Sequence, residues 1–116
     1  MDWDVYFTER FEKWLLEQDI KTQEDILAHI GLLEKKGPNL SRPYADTVKE
    51  SKFPNMKELR VQSQGNPYRL FFAFNPQREA IILIADNKKG WKDSDFYKKM
   101  IPLADRIFAD VLDEKR

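Results

Sequence analysis

Apolar and polar positions alternate from Trp3 to Phe7, a period of two that predicts a short strand. Thr8 then offers a hydroxyl to the free amides of a helix beginning at Glu9, whose Phe11, Trp14 and Leu15 fall on one face. A second helix is expected to open at Thr22, with Asp25 three residues on in the manner of a capping box. It carries Ile26, Ile30 and Leu33 on one stripe, with Leu27 beside it. Gly37 and Pro38 stop this helix, and the two helices should form a hairpin. Residues 39–54 show no sustained period and contain Pro43 and Pro54, which predicts a loop with at most one helical turn. Three strands follow, Met56 to Gln62, Tyr68 to Asn75 and Ala80 to Asp86, joined by the short turns SQGNP and NPQRE as an antiparallel meander. The run AIILIA has no polar face and belongs in the middle of a sheet covered on both sides. From Asp93 to about Lys115 the spacing of Ala104, Ile107, Phe108 and Val111 is helical, with Pro102 expected to kink or restart the helix. The order strand, two helices, three strands, helix predicts an α+β sandwich on a small antiparallel sheet, one domain over residues 1–116.

Composition narrows the chemistry. There is no cysteine and a single histidine among 116 residues, so thiol chemistry and disulfides are excluded and a zinc site would rest almost wholly on carboxylates. The expectation is a protein without metal or cofactor. The opening MDWDVYFTER carries acid where a signal peptide needs positive charge, and no apolar run approaches a membrane span, which predicts a cytoplasmic protein with no membrane partner. His29 stands off the apolar stripe of its helix, with no serine or cysteine partner, and is not expected to act.

The formal net charge is zero, from 20 basic and 20 acidic residues, yet the charges are unevenly placed. Between Lys49 and Lys92 nine basic residues stand against four acidic ones. Attraction to phosphate decays over a Debye length of about 8 Å at physiological salt, so this local excess matters more than the total. Alternation places Glu58, Arg60 and Gln62 opposite in facing to Leu59 and Val61. A turn centred on Gln64 and Gly65 brings Arg60 across from Arg69, or one step diagonal, and Glu58 near Phe71. Two like charges across a sheet cost roughly 0.2–1 kcal/mol unless an acid or an anion neutralises them, and Glu58 is placed to do so. The third strand ends in DNKKGW, where Lys88 and Lys89 offer charge and Trp91 a stacking face, although such a stretch also makes an ordinary polar turn. Tyr97 reads as core packing with a polar tip.

The runs KELR at 57–60, YRLFFAF at 68–74, the apolar strand leading into DNKKG at 86–90, and FYKKMIPLADRIF at 96–108 are together similar to the HigB-like toxins of the RelE/ParE superfamily. The resemblance spans Lys57 to Phe108 and implies a RelE-like fold. It further implies a ribosome-dependent endonuclease of messenger RNA, partnered by a HigA-like helix-turn-helix antitoxin. RNA carries its own nucleophile in the ribose 2′ hydroxyl, so cleavage needs a proton acceptor, cations on the phosphate and a proton for the leaving oxygen. On this reading Arg60 and Arg69 hold the phosphate, and Lys57 or a loop lysine (Lys49, Lys52) moves the proton. Lys88 or Lys89 binds substrate or acts as the acid, and Trp91 stacks a base. Strict alternation sets Lys57 on the Leu59 face, against its role unless the strand begins irregularly. ParE-like relatives with the same fold inhibit DNA gyrase by binding it, which is the alternative function.

Overall fold

A computed structural model describes residues 2–114. Strand β1 (Asp4–Phe7) leads into helices α1 (Glu9–Leu16) and α2 (Ile20–Lys36). A short 3₁₀ turn (Gly37–Asn39) follows, then β2 (Ala45–Thr47), β3 (Met56–Ser63), β4 (Asn66–Phe74) and β5 (Glu79–Asn87), and helix α3 (Asp93–Glu114) completes the described chain. These strands form one sheet in the order β1-β5-β4-β3-β2. The meander β3–β4–β5 is antiparallel as expected, and β1 pairs parallel to β5, with Val5 beside Ala80, so the sheet is mixed. Helices α1 and α2 supply the crossover that a parallel neighbour requires.

Thr8 caps α1 as expected, its Oγ1 accepting from the Phe11 amide at 3.0 Å. Helix α2 starts two residues earlier than the expected Thr22, because Asp19 is the cap and accepts from the Thr22 amide at 2.8 Å. Thr22 is itself buried, and Asp25 is engaged by Lys21 and by the Ser63 hydroxyl at 2.6 Å. The loop between Asn39 and Pro54 contains β2, which has only three residues and no alternation of its own. Its pairing with Leu59, Glu58 and Lys57 defines it.

Each face of the sheet has its own core. On one face Leu59, Val61, Leu70, Phe72 and Ile82 meet Phe11, Leu15, Ile26, Ile30 and Leu33 of the helical hairpin. On the other, Met56, Phe71, Ala73, Ile81, Leu83 and Ile84 meet Phe96, Met100, Ala104 and Phe108 of α3. The central strand β5 is buried from both sides, as the run AIILIA requires. A bulge in β5 opposite Phe71 and Phe72 breaks the alternation, so that Leu83 and Ile84 both face α3 while Ala85 turns to the hairpin side.

Pro102 does not divide α3, which is continuous from Asp93 to Glu114; the expected end near Lys115 lies outside the described residues. Proline inside a helix costs about 3 kcal/mol. Burying each of Phe96, Met100, Ile101 and Phe108 on the sheet returns roughly 1.5–3 kcal/mol, which outweighs it. Pro102 and Lys98, whose carbonyl loses its amide partner, are both on the exposed side.

The N-terminal segment is fastened where α2 ends. The Trp3 amide donates to Glu34 O at 2.7 Å, and its indole lies over Gly37, whose φ of +54° is left-handed. A Cβ at Gly37 would stand 2.3 Å from Trp3 Nε1. Substituting Gly37→Ala is therefore expected to lower stability by about 2–3 kcal/mol, from overpacking and left-handed strain together. Urea unfolding of the purified variant would read this as a lower midpoint at unchanged slope, and an unshifted midpoint would show that the indole moves aside freely.

Candidate active site

Helix α3 covers only part of its face of the sheet, and the uncovered end is a groove of about 990 Å³. Its floor is the β3–β4 hairpin, with Glu58, Arg60 and Arg69; Lys88 closes it at the end of β5. One wall is the loop after β2, from Thr47 to Glu50, and the other is the first half of α3, with Asp93, Ser94, Tyr97, Lys98 and Ile101. Register comes from a two-residue turn, in which Gln64 and Gly65 both have positive φ, and it sets Arg60 directly across from Arg69 and Glu58 across from Phe71.

Glu58 is the hub of the floor. It is only 4% exposed, and such burial of a carboxylate requires partners. Its Oε2 lies 3.1 Å from Arg60 Nη2, and its Oε1 accepts a 2.7 Å hydrogen bond from the Tyr97 hydroxyl. Arg69 Nε is 3.9 Å from the same Oε1, an ion-pair distance too long for a hydrogen bond. That nitrogen is buried and has no hydrogen-bond partner among the described residues, while Nη1 donates to Tyr68 O at 3.1 Å. The expectation that Glu58 neutralises the arginine pair is met by this geometry. Arg60 also reaches Asp46 Oδ2 at 3.3 Å. A hydrogen bond from Arg42 foremost, with help from the Thr47 amide and the charge of Arg60, holds the Asp46 carboxyl below its ordinary range.

Lys88 Nζ pairs with Asp93 Oδ1 at 2.8 Å and stands 5.7 Å from the centre of the Tyr97 ring. The hydrogen bond from Lys88 is the main reason the Asp93 carboxyl is lowered. Burial, then the hydrogen bond to Glu58 and its negative charge, push the Tyr97 phenol up to about 12. The groove therefore presents three cations, Arg60, Arg69 and Lys88, whose counterions are the protein's own carboxylates, and one phenol held as a donor.

Of the residues singled out in the sequence, Arg60, Arg69, Lys88 and Lys49 line the groove together. Lys57 does not. It keeps the Leu59 facing, on the other side of β3, and lines a separate depression with Pro38, Arg42 and Asp46, because β3 starts without a bulge. Lys52 is exposed on the loop and outside the groove lining, its amide bonded to Asp105 Oδ2 at 3.0 Å. Lys89 is exposed in the turn after β5. Trp91 is 41% exposed beyond the groove lining, its edge against Phe96 and the Lys99 ammonium 5.0 Å from its ring centre. His29 Nδ1 donates to Asp25 O at 2.8 Å. It shares a shallow depression with Tyr44, Arg60 and Arg69, nearer the arginines than its place in the chain suggests. The Arg69 side chain is only 14% exposed. Tyr97 is the participant that the sequence reading assigned to the core; its spacing of four from Ile101 put it beside the apolar stripe, but nothing local marks its contact with Glu58, 39 residues away.

Residues 13–109 match the family of phage-derived Gp49-like proteins (DUF891). The chain is 46% identical over 106 residues to the HigB2 toxin candidate of Mycobacterium tuberculosis (strain ATCC 25618 / H37Rv), covering 90% of this chain but only 52% of the relative, so it spans about half of that protein's length. It is 40% identical over 103 residues to the HigB3 toxin candidate of the same organism, covering 88% of this chain and 87% of the relative. Among solved structures, a mutant of Escherichia coli RelE in the free state superposes with a TM-score of 0.65 at 15% identity, covering 92% of this chain and 99% of RelE. A chain of the RelBE2 toxin–antitoxin complex from Mycobacterium tuberculosis gives 0.58 at 16% identity over 75% of this chain and 99% of its own. A chain of the RelE–RelB complex from Pyrococcus horikoshii OT3 gives 0.58 at 15% over 78% and 99%. The structural likenesses establish the fold and the sequence likenesses the kinship: this chain belongs to the Gp49-like family and, with HigB2 and HigB3, to the HigB-type toxins built on the RelE fold.

Proposed function

We propose that this chain is a ribosome-dependent endoribonuclease that cuts messenger RNA without a metal ion and is restrained by a HigA-like helix-turn-helix antitoxin. The observation that carries the reading is the Arg60–Arg69 pair on the floor of an open groove. Two guanidiniums side by side match the non-bridging oxygens of one phosphate, and charge that grows on those oxygens in the transition state is met by donors already in place. Glu58 is the acceptor nearest them and can take the 2′ proton. Tyr97 holds that carboxylate and remains protonated. Lys88, exchanging Asp93 for the substrate, then donates the proton that the leaving 5′ oxygen takes up as the P–O bond breaks. Lys49 adds charge from the loop wall, while Lys89 and Trp91 meet RNA only outside the cleaved nucleotide. Lys57, on the opposite face, has no part in this scheme. Two of the solved relatives in fold are toxin–antitoxin complexes, which supports an antitoxin partner.

Expression of the chain alone should arrest incorporation of labelled amino acid before that of thymidine, and the reverse order would assign it to gyrase inhibition. Arg60→Ala, at a side chain one-third exposed, should leave the circular dichroism spectrum unchanged and slow cleavage by about 10²- to 10³-fold, the scale of one lost transition-state donor. Arg69 is too buried for a clean deletion. Arg69→Lys keeps its charge, and because it loses the planar fork it should lose most activity while remaining folded. Full toxicity in both variants would place the active surface elsewhere.

Attack by the 2′ oxygen leaves a 2′,3′-cyclic phosphate, or the 3′-phosphate from its hydrolysis, and a 5′ hydroxyl. A message with a single 2′-deoxy nucleotide at the cut should survive on programmed ribosomes. Direct formation of 5′-phosphate ends would require water as the nucleophile and refute the scheme.

A phenol whose value is raised loses its proton later in the folded protein than in the unfolded chain. Stability linked to Tyr97 is therefore complete below about pH 10, the ordinary tyrosine value, and declines as pH rises towards about 12. Absorbance titration near 295 nm should show one of the four tyrosines ionising last, and Tyr97→Phe should remove that late step. Loss of an early step instead would place the phenol in solvent.

A further inference from the structure

Asp105 is a buried carboxylate, 6% exposed, on the sheet-facing side of α3, and the cleavage scheme makes no use of it. Burial of a charge in an otherwise apolar layer of Phe108, Ala104 and Ile101 is costly unless its oxygens are met by donors. They are met by the loop between β2 and β3. The Ser51 hydroxyl donates to Asp105 Oδ1, and the Lys52 amide donates to Oδ2 at 3.0 Å. Ser51 Oγ in turn accepts from the Phe53 amide at 3.0 Å, and the Phe53 ring rests edge-on against Phe108, 4.9 Å between centres. At the other end of the segment, the Val48 amide is bonded to Met56 O at 3.0 Å. The loop is thus fixed at Val48 and again at Ser51 and Lys52. Only Lys49 and Glu50 lie between these anchors, and both line the groove.

We propose that Asp105 is a positioning residue, which through Ser51 and the Lys52 amide holds the two-residue span Lys49–Glu50 on the groove wall and so sets Lys49 for contact with the RNA phosphate backbone. The use of Lys49 rests on the nuclease reading; the anchoring of the loop does not. Because Asp105 is buried behind the loop, it acts on substrate only through Lys49. Asparagine at position 105 keeps the shape but removes the charge, so the bond from the Lys52 amide loses its charge assistance and the Ser51 hydroxyl faces an amide donor in place of a carboxylate acceptor. Ser51→Ala removes the hydroxyl link outright and leaves α3 untouched.

The test combines amide hydrogen exchange with a double-mutant cycle on the purified full chain. In Asp105→Asn and in Ser51→Ala, exchange at residues 49–52 should rise about tenfold or more while the amides of β3–β5 stay protected. Unchanged loop exchange in both folded variants would overturn the anchoring, whether or not the protein binds RNA. Affinity for ribosomes programmed with the 2′-deoxy message, followed by fluorescence anisotropy of the labelled chain, should fall about tenfold in Asp105→Asn, a typical scale for a coupled contact. In a Lys49→Ala background the same substitution should change affinity less than twofold. Equal losses in both backgrounds would show that Asp105 does not act through Lys49. If Asp105→Asn melts, Ser51→Ala carries the same cycle. A native protein that does not bind programmed ribosomes would refute the nuclease reading, and the exchange arm would still decide the role of Asp105 in the loop.

Discussion

Two guanidinium groups forced side by side by a strand register are the constraint on which the rest of the site depends. The two-residue turn at Gln64–Gly65 leaves the β3–β4 hairpin no freedom to separate Arg60 from Arg69. Repulsion between them has to be met from within the fold, because α3 and the loop shield the floor from much of the solvent that would otherwise screen it. Glu58 answers that need, and its own burial in turn demands the Tyr97 hydroxyl, which fixes the first turns of α3 over the sheet. Asp46 serves Arg60 from the edge strand, and Asp93 serves Lys88 from the start of the helix. The floor is thereby tied to the edge strand through Arg60 and Asp46 and to α3 through Glu58 and Tyr97, and the end of β5 is tied to α3 through Lys88 and Asp93. Arg60, Arg69 and Lys88 are paired in the free groove, so a phosphate that enters must compete with carboxylates for each of these three.

This arrangement explains why a protein of zero net charge can be suited to a polyanion. Much of the charge is balanced locally, since carboxylates lie within 4 Å of Arg60, Arg69 and Lys88, while Lys49 and Lys98 add positive charge along the groove walls. Attraction at a distance is modest, and what remains is a set of donors that become available on contact. Selectivity in such a site comes from geometry, since only a group with several acceptor oxygens, presented together, can replace two or three carboxylates at once.

Much of this was legible before any coordinates. Period-two alternation together with a short Gly-containing turn sufficed to place Arg60 across from Arg69, because both signals are local and the hairpin has few registers open to it. The strand AIILIA declared its central position by lacking a polar face. Distant constraints were not legible. Three residues of β2 have no pattern of their own and exist by virtue of β3; the choice of Asp19 over Thr22 as cap lay between two residues equally suited to it. Pro102 broke a local rule that the buried face of α3 overrode. Glu58 had the right parity to face the arginines, but its burial, the reach of Tyr97 and the anchoring role of Asp105 depend on where α3 lies across the sheet, which no periodicity specifies.

The bulge in β5 bears on more than packing. Odd-numbered residues of that strand face α3 as far as Leu83, and even-numbered ones do so from Ile84 onward, so the extra residue exchanges the two sides of everything that follows it. Lys88 reaches the groove because it is counted after the shift; in an unbroken strand its position would present it to the helical hairpin instead. Its place in the site is thus a matter of residue number along the strand as much as of residue type. Substitutions among Ile81, Ile82, Leu83 and Ile84 that respect volume can be absorbed by the core, whereas a change of length by one between Ile81 and Asn87 would turn the lysine away while leaving composition and hydrophobicity almost untouched.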